Sequence, residues 1–221
     1  MWDFFDQILY INLDDRSDRR TSIEQELSRM HVPKEKITRI QAYSSINGTR
    51  GCALSHIKAL DYAASQGFHR FLILEDDVVF LQSPEAVCGY IKRFAEFAEK
   101  NPWDLFFLGT HPKHIENTQD PRIKRVLVSY CAHAYCLEAR YLPTLRASYV
   151  RSYEKLWELT SFEESFHYAI DRLWVNLQIE HQWFLGDEEI VRQGAFYSDI
   201  ELRMRDREPK PIGKKNPLSK K

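Results

Sequence analysis

Phe71-Leu72-Ile73-Leu74-Glu75-Asp76-Asp77 is the stretch on which the reading of this chain turns. Four apolar residues run without interruption into three carboxylates. A short apolar run of this kind reads as a strand buried on both faces. The three acids then mark its exposed end, where mutual repulsion is costly unless water, a cation or basic side chains compensate. Working back from it, Leu54, Ile57, Leu60 and Ala64 recur at helical spacing, with Gly67 placed as a C-cap. Residues 37–43 read as another strand, followed by a turn-rich loop around Asn47-Gly48. Ile23, Leu27 and Met30 lie on one helical face, with Thr21 and Glu24 spaced as a capping box and Pro33 as a terminator. Residues 7–13 (QILYINL) read as a first buried strand.

Working forward, Ser83-Pro84 is a helix start, and Val87, Ile91, Phe94 and Ala98 continue it on one face. Residues 103–108 read as a strand ending at Gly109, residues 126–137 as a long strand or a hairpin pair, and residues 141–153 and 164–178 as helices. Strand and helix alternate through the first half. That pattern predicts an α/β fold, a mostly parallel sheet with helices on both faces. In such sheets ligands sit beyond the carboxyl ends of the strands, which is where the three acids fall.

The 221 residues are 43% hydrophobic and 29% charged, enough for one sizeable core. A formal net charge of −1 argues against non-specific nucleic-acid binding. Residues 201–221 carry five Lys and three Arg against three acids, a net of +5, which leaves −6 for the rest. The organisation expected is one domain over residues 1–208 and a basic, flexible tail over residues 209–221. Cys52, Cys88, Cys131 and Cys136 form no C-x-x-C pair, so a zinc site is weakly supported and reduced thiols are expected. Residues 1–7 do not have the pattern of a signal peptide, and no stretch approaches about 18 apolar residues. The expectation is a soluble, cytoplasmic protein whose basic tail is a solvated terminus or a peripheral contact with anionic lipid.

Several groups are candidates for chemistry. Hard oxygen ligands at a strand end suit Mn²⁺ or Mg²⁺ held together with a diphosphate; a solvated acidic turn is the competing reading. If the chain stays extended there, Glu75 and Asp77 face one side and Asp76 the other. Gly51-Cys52-Ala53-Leu54-Ser55-His56, preceded by Arg50, surrounds a helix start with N–H groups and a guanidinium suited to an anion, though a packed histidine at an ordinary helix start is as good a reading. It is neither a Walker A loop nor a G-x-G-x-x-G fingerprint. Asp171, in a stretch of aromatic and apolar residues, is a candidate general base or a salt-bridge partner of Arg172. Ser198-Asp199-Ile200 is a metal or substrate loop, or a turn. His133 and Tyr135 share one strand face and line a pocket or pair in the core.

Taken together, Tyr10-Ile11-Asn12-Leu13 followed by Arg16 and Arg19-Arg20, then residues 51–56, then Leu74-Glu75-Asp76-Asp77, resemble glycosyltransferase family 25 in order and spacing. This is the group of lipopolysaccharide β-galactosyltransferases and collagen hydroxylysine galactosyltransferases. Ala132-His133-Ala134-Tyr135, Asp171 and Ser198-Asp199-Ile200 fit its later landmarks. The resemblance implies a GT-A fold, a Rossmann-like twisted sheet that binds a nucleotide-sugar and a divalent cation. It implies a metal-dependent, inverting hexosyltransferase, with a UDP-sugar (UDP-galactose first) as donor and a hydroxyl of a lipopolysaccharide glycan or a hydroxylysine-type residue as acceptor. By the same resemblance Asp77 and Asp199 are the metal ligands, and Asp171 is the base. Asn12, Arg50, Ser55, His56, Glu75 and Asp76 form the donor site. A degenerate, non-catalytic binding protein of the same fold is the alternative. A metal-dependent phosphohydrolase would need further paired ligands.

Overall fold

In the computed structural model, residues 2–159, 161–195, 197–198 and 203–204 are described. Six strands form the central sheet: β1 (Gln7–Asn12), β2 (Ile37–Gln41), β3 (Arg70–Glu75), β5 (Leu105–Asn117), β6 (Ile123–Glu138) and β7 (Trp183–Gly186), in the order β2-β1-β3-β6-β5-β7. β1 is parallel to both β2 and β3, and β5 to β7. β6 alone runs against its neighbours. This is the mostly parallel α/β sheet that the alternation predicts.

The strand side chains divide the core in two. Ile8, Tyr10, Leu72, Leu74 and Phe106 face α1 (Ser17–Arg29) and α3 (Pro84–Ala98). Leu9, Phe71, Ile73, Phe107 and Tyr135 face α2 (Gly48–Gln66) and α4 (Leu142–Glu158). Helices therefore cover both faces. Phe71, Leu72, Ile73 and Leu74 are each fully buried, and burial of side chains this size contributes about 1.5–3 kcal/mol apiece. That packing fixes β3 in register and holds the acids at its end in place.

The caps read from sequence are present. Ser83 Oγ accepts from the Ala86 amide, and Gly67 closes α2 in the left-handed region at φ 68°. Other expectations change. α1 begins at Ser17, so Thr21 and Glu24 form no capping box. Thr21 instead donates back to the Ser17 carbonyl at 2.9 Å, and Glu24 is occupied by Tyr10 and Arg20. The earlier start puts Arg19, Ile23 and Leu27 on one buried stripe at i, i+4 and i+8. Gly109 does not end β5. A Cβ there would lie 2.5 Å from His133 Nε2 and 2.7 Å from the Val191 carbonyl, so glycine lets β6 and the following chain approach. Residues 126–137 lie in a single strand, with Cys131 in the left-handed region at φ 73°. The helix expected over 164–178 is broken into α5 (Phe162–Ser165), a 3₁₀ turn (Phe166–Tyr168), α6 (Ile170–Leu173) and α7 (Val175–Glu180). A small antiparallel pair, β4 (Val78–Phe80) with β8 (Val191–Gln193), had no sequence signal of its own. Among the described residues, no helix is long and apolar enough to cross a membrane.

Candidate functional site

α1 connects β1 to β2 on one face, and α2 connects β2 back to β3 on the other. The chain thus leaves β1 in opposite directions, and a crevice opens between the carboxyl ends of β1 and β3, the position where α/β sheets bind ligands. A cleft of about 180 Å³, open to solvent, occupies it. Asn12 and Leu13 line one wall, the loop after β2 and the first turns of α2 another, and Glu75, Asp76 and Asp77 the floor.

The acids are not arranged as an extended chain would place them. β3 ends at Glu75 and the backbone turns through Asp76 and Asp77, so these two carboxylates meet on the α1 side. Arg19 Nε lies 3.0 Å from Asp76 Oδ1, and Arg19 Nη2 lies 2.7 Å from Asp77 Oδ2. Asn12 donates to Asp76 Oδ2 at 2.7 Å, and is itself held by Arg39 through its side-chain oxygen at 3.0 Å and its carbonyl at 3.2 Å. Asp76 and Asp77 are only 6% and 4% exposed. Burial pushes the Asp76 carboxyl above its ordinary range, against the pull of Arg19 and Asn12. Glu75 points to the opposite, α2 side. Its Oε1 is 3.5 Å from His56 Nε2, and Gln193 donates to its Oε2 at 3.0 Å and to Asp77 Oδ2 at 3.4 Å.

α2 supplies the remaining wall. Asn47 caps it by accepting from the Thr49 amide at 3.1 Å. Residues 51–56 lie within its first turns, not ahead of it. A Cβ on Gly51 would sit 2.5 Å from the Tyr43 carbonyl, so glycine allows the loop after β2 to rest on the helix. Ser55 secures that loop by accepting from the Tyr43 amide at 2.8 Å and donating to the Gly51 carbonyl at 2.6 Å. His56 is 1% exposed, and its Nδ1 lies 2.9 Å from the Tyr135 hydroxyl.

Of the residues singled out by sequence, Asn12, Ser55, His56, Glu75, Asp76 and Asp77 converge on this cleft. Arg50 does not. It donates to the Leu156 and Leu159 carbonyls at 2.7 and 2.6 Å and lies over the Trp157 ring, bracing the end of α4. Asp171, half-buried on α6, is outside the cleft lining. Its Oδ2 accepts from the Cys131 amide at 2.8 Å. Burial raises its carboxyl above the ordinary range and the Glu75 charge adds to this, while the Cys131 amide and Arg172 oppose it. His133 and Tyr135 are buried in the core and are not part of the lining. Asp199 and the tail over residues 209–221 lie outside the described residues. Sequence reasoning missed Arg19, Arg39 and Gln193 as partners in the site. For Arg19 a signal existed, its position four residues before Ile23 on the buried stripe.

Residues 46–105 match the model of Glycosyltransferase family 25 (LPS biosynthesis protein), the family the sequence resembles. The match spans the α2 wall and the acidic floor. No curated protein matches the chain. Among solved structures, similarity is found to a mannose-1-phosphate geranyltransferase from Thermus thermophilus, at 13% identity over 81% of this chain and 73% of that chain (TM-score 0.47). A glycosyltransferase involved in the glycosylation of the major capsid of PBCV-1 is similar at 10% identity over 81% of this chain and 92% of that chain (TM-score 0.47). A197 from STIV is similar at 11% identity over 95% and 98% (TM-score 0.47).

Proposed function

We propose that the chain is a metal-dependent, inverting glycosyltransferase of the GT-A type, which moves a hexose, galactose first, from a UDP-sugar to an acceptor hydroxyl. One observation carries this reading: the carboxylates of Glu75, Asp76 and Asp77 form the floor of the switch-point cleft, and the segment matching the family 25 model contains both that floor and the α2 wall. A glycan of lipopolysaccharide or a hydroxylysine-type residue is the acceptor class.

The donor set suits Mn²⁺ or Mg²⁺, because such ions take one or two hard carboxylate oxygens and fill their remaining positions with water and substrate phosphates. Asp77 offers such an oxygen; Asp199 is the further ligand proposed. A bound cation supplies charge stabilisation for the departing diphosphate. The chain's own residues do the rest. Arg19 offsets part of the charge of Asp76 and Asp77 and keeps them fixed. Asn12, Ser55, His56, Glu75 and Asp76 orient the donor. Asp171, which lies outside the cleft lining, is the proposed base for the acceptor hydroxyl, and its raised carboxyl range makes it a stronger base than an exposed aspartate.

The experiment is donor hydrolysis across a panel of nucleotide-sugars, with Mn²⁺ and with chelator. Mn²⁺-dependent release of UDP from one donor supports the reading and names the sugar. No release, and no Mn²⁺-dependent UDP binding, removes it. The Arg19 ion pairs favour one alternative, a cleft that binds a nucleotide-sugar without a divalent ion. Donor binding that is indifferent to chelator selects that alternative.

A further inference from the structure

Cys52 and His56 are four residues apart on α2, so their side chains leave the same face of the helix. That face meets the end of β3, and a thiol sulfur of Cys52, a ring nitrogen of His56 and a carboxylate oxygen of Glu75 lie within 4.8 Å of one another. The three differ in chemistry from the Asp76–Asp77 pair on the far side of β3. Thiolate and imidazole are the ligands preferred by zinc and similar borderline ions, not by Mg²⁺ or Mn²⁺.

The surroundings match those of a zinc ligand set. Metal-bound histidines characteristically have the second ring nitrogen fixed by a hydrogen bond. Here Nδ1 of His56 is fixed by the Tyr135 hydroxyl at 2.9 Å, which leaves Nε2 as the nitrogen facing Glu75. That nitrogen is fully buried and makes no hydrogen bond. Its 3.5 Å separation from Glu75 Oε1 is too long for a good one. It is close to the spacing of about 3.5 Å between two ligands of a tetrahedral zinc ion. The other oxygen of Glu75 is oriented by Gln193 at 3.0 Å. Cys52 and Glu75 are only partly buried. All three residues line the cleft, so the fourth position opens into it.

We propose that Cys52, His56 and Glu75 bind one Zn²⁺-class ion, with an open coordination position facing the cleft. The site is separate from any hard-cation site at Asp77 and stands whether or not the chain transfers a sugar.

The test is titration of the full chain with Co²⁺, followed by Zn²⁺. A thiolate-to-cobalt charge-transfer band that saturates at one Co²⁺ per chain, whatever else binds at Asp77, and is displaced by Zn²⁺, is expected. C52S should lose the band and bind Zn²⁺ at least about tenfold more weakly, a change of about 1.4 kcal/mol. C88S, which removes a thiol on α3, should keep both. E75Q should keep the band with weakened affinity. No band in the native chain, or a band that survives in C52S, overturns the proposal and leaves a simple histidine–glutamate contact. Should C52S fail to fold by circular dichroism, thiol alkylation of the native chain decides. Zn²⁺ should slow labelling of Cys52 and not of Cys88, and equal rates at Cys52 with and without Zn²⁺ refute the site.

Discussion

Replacing Arg19 with methionine keeps most of the side-chain volume on α1 and removes the charge shared by Asp76 and Asp77. Arg19 is 11% exposed at its side chain, and the two carboxylates are 8% and 6% exposed, at 3.0 and 2.7 Å from it. Removing one partner of a buried ion pair costs about 3–5 kcal/mol, because the remaining charge stays buried without compensation. For a domain of this size each kcal/mol shifts the melting temperature by about 2–4 °C, so R19M should melt roughly 6–20 °C lower. The deficit should also depend on pH. Asp76 already titrates above the ordinary aspartate range through burial, and Arg19 is the largest influence opposing that. Without Arg19 the folded-state value rises further. A raised folded-state value contributes stability that is complete below the unfolded value and is lost as pH rises through the folded one. The R19M deficit should therefore be small near about pH 4 and grow toward about pH 7. Urea denaturation followed by circular dichroism at several pH values measures this. R19K should recover only part of the loss, since an ammonium cannot serve two carboxylates with a planar fork. A deficit under about 1 kcal/mol, or one unchanged across that pH range, would refute the idea that Arg19 is the internal counter-charge of the site.

Asp171→Asn should lower turnover by about 10²–10⁴ while donor affinity is retained. Because the Asp171 carboxyl is raised, mainly by burial, its ionised form opposes folding above its folded-state value, so D171N should also melt higher at neutral pH; a lower melting temperature there contradicts that sign. Arg50→Met should cost about 1–3 kcal/mol through the Leu156 and Leu159 carbonyls it leaves unserved, with donor affinity unchanged, and calorimetric titration with UDP would expose any direct role. Gly51→Ala places a methyl 2.5 Å from the Tyr43 carbonyl and should destabilise the fold by about 1–3 kcal/mol; a neutral effect in thermal melts would mean that the loop after β2 is free to move.

Much of the first half of the chain was legible because its parts report themselves locally. A strand buried on both faces must be apolar throughout, so β1 and β3 announce themselves, as do the glycine closing α2 and the Ser83-Pro84 start of α3. The acidic floor was legible for the same reason, since carboxylates after a buried strand need a purpose or a partner. What was hidden depends on distant pairing. Nothing around Gln193 reveals that it will reach Glu75, more than a hundred residues earlier. Arg19 reads as an ordinary charge until α1 is given its true start. Arg50, next to the motif, reads as an anion ligand, but its guanidinium is taken by the Leu156 and Leu159 carbonyls at the end of α4. The break-up of residues 164–178 follows tertiary demands on Trp174 and Gln178, which both serve Ser129 on β6.

The reversed direction of β6 bears on how the chain is made. As residues leave a ribosome in order, β1, β2 and β3 can pair soon after Glu75 emerges, yet the other edge of β3 has no partner until residues 134–138 arrive. At about 5–20 residues per second, that interval of some 63 residues lasts several seconds. During it an apolar strand edge is exposed, the kind of template on which nascent chains associate. A ribosome stall between α3 and β6 would prolong that exposure, so chaperone demand should be highest for chains arrested there and should fall once the β3–β6 seam has closed.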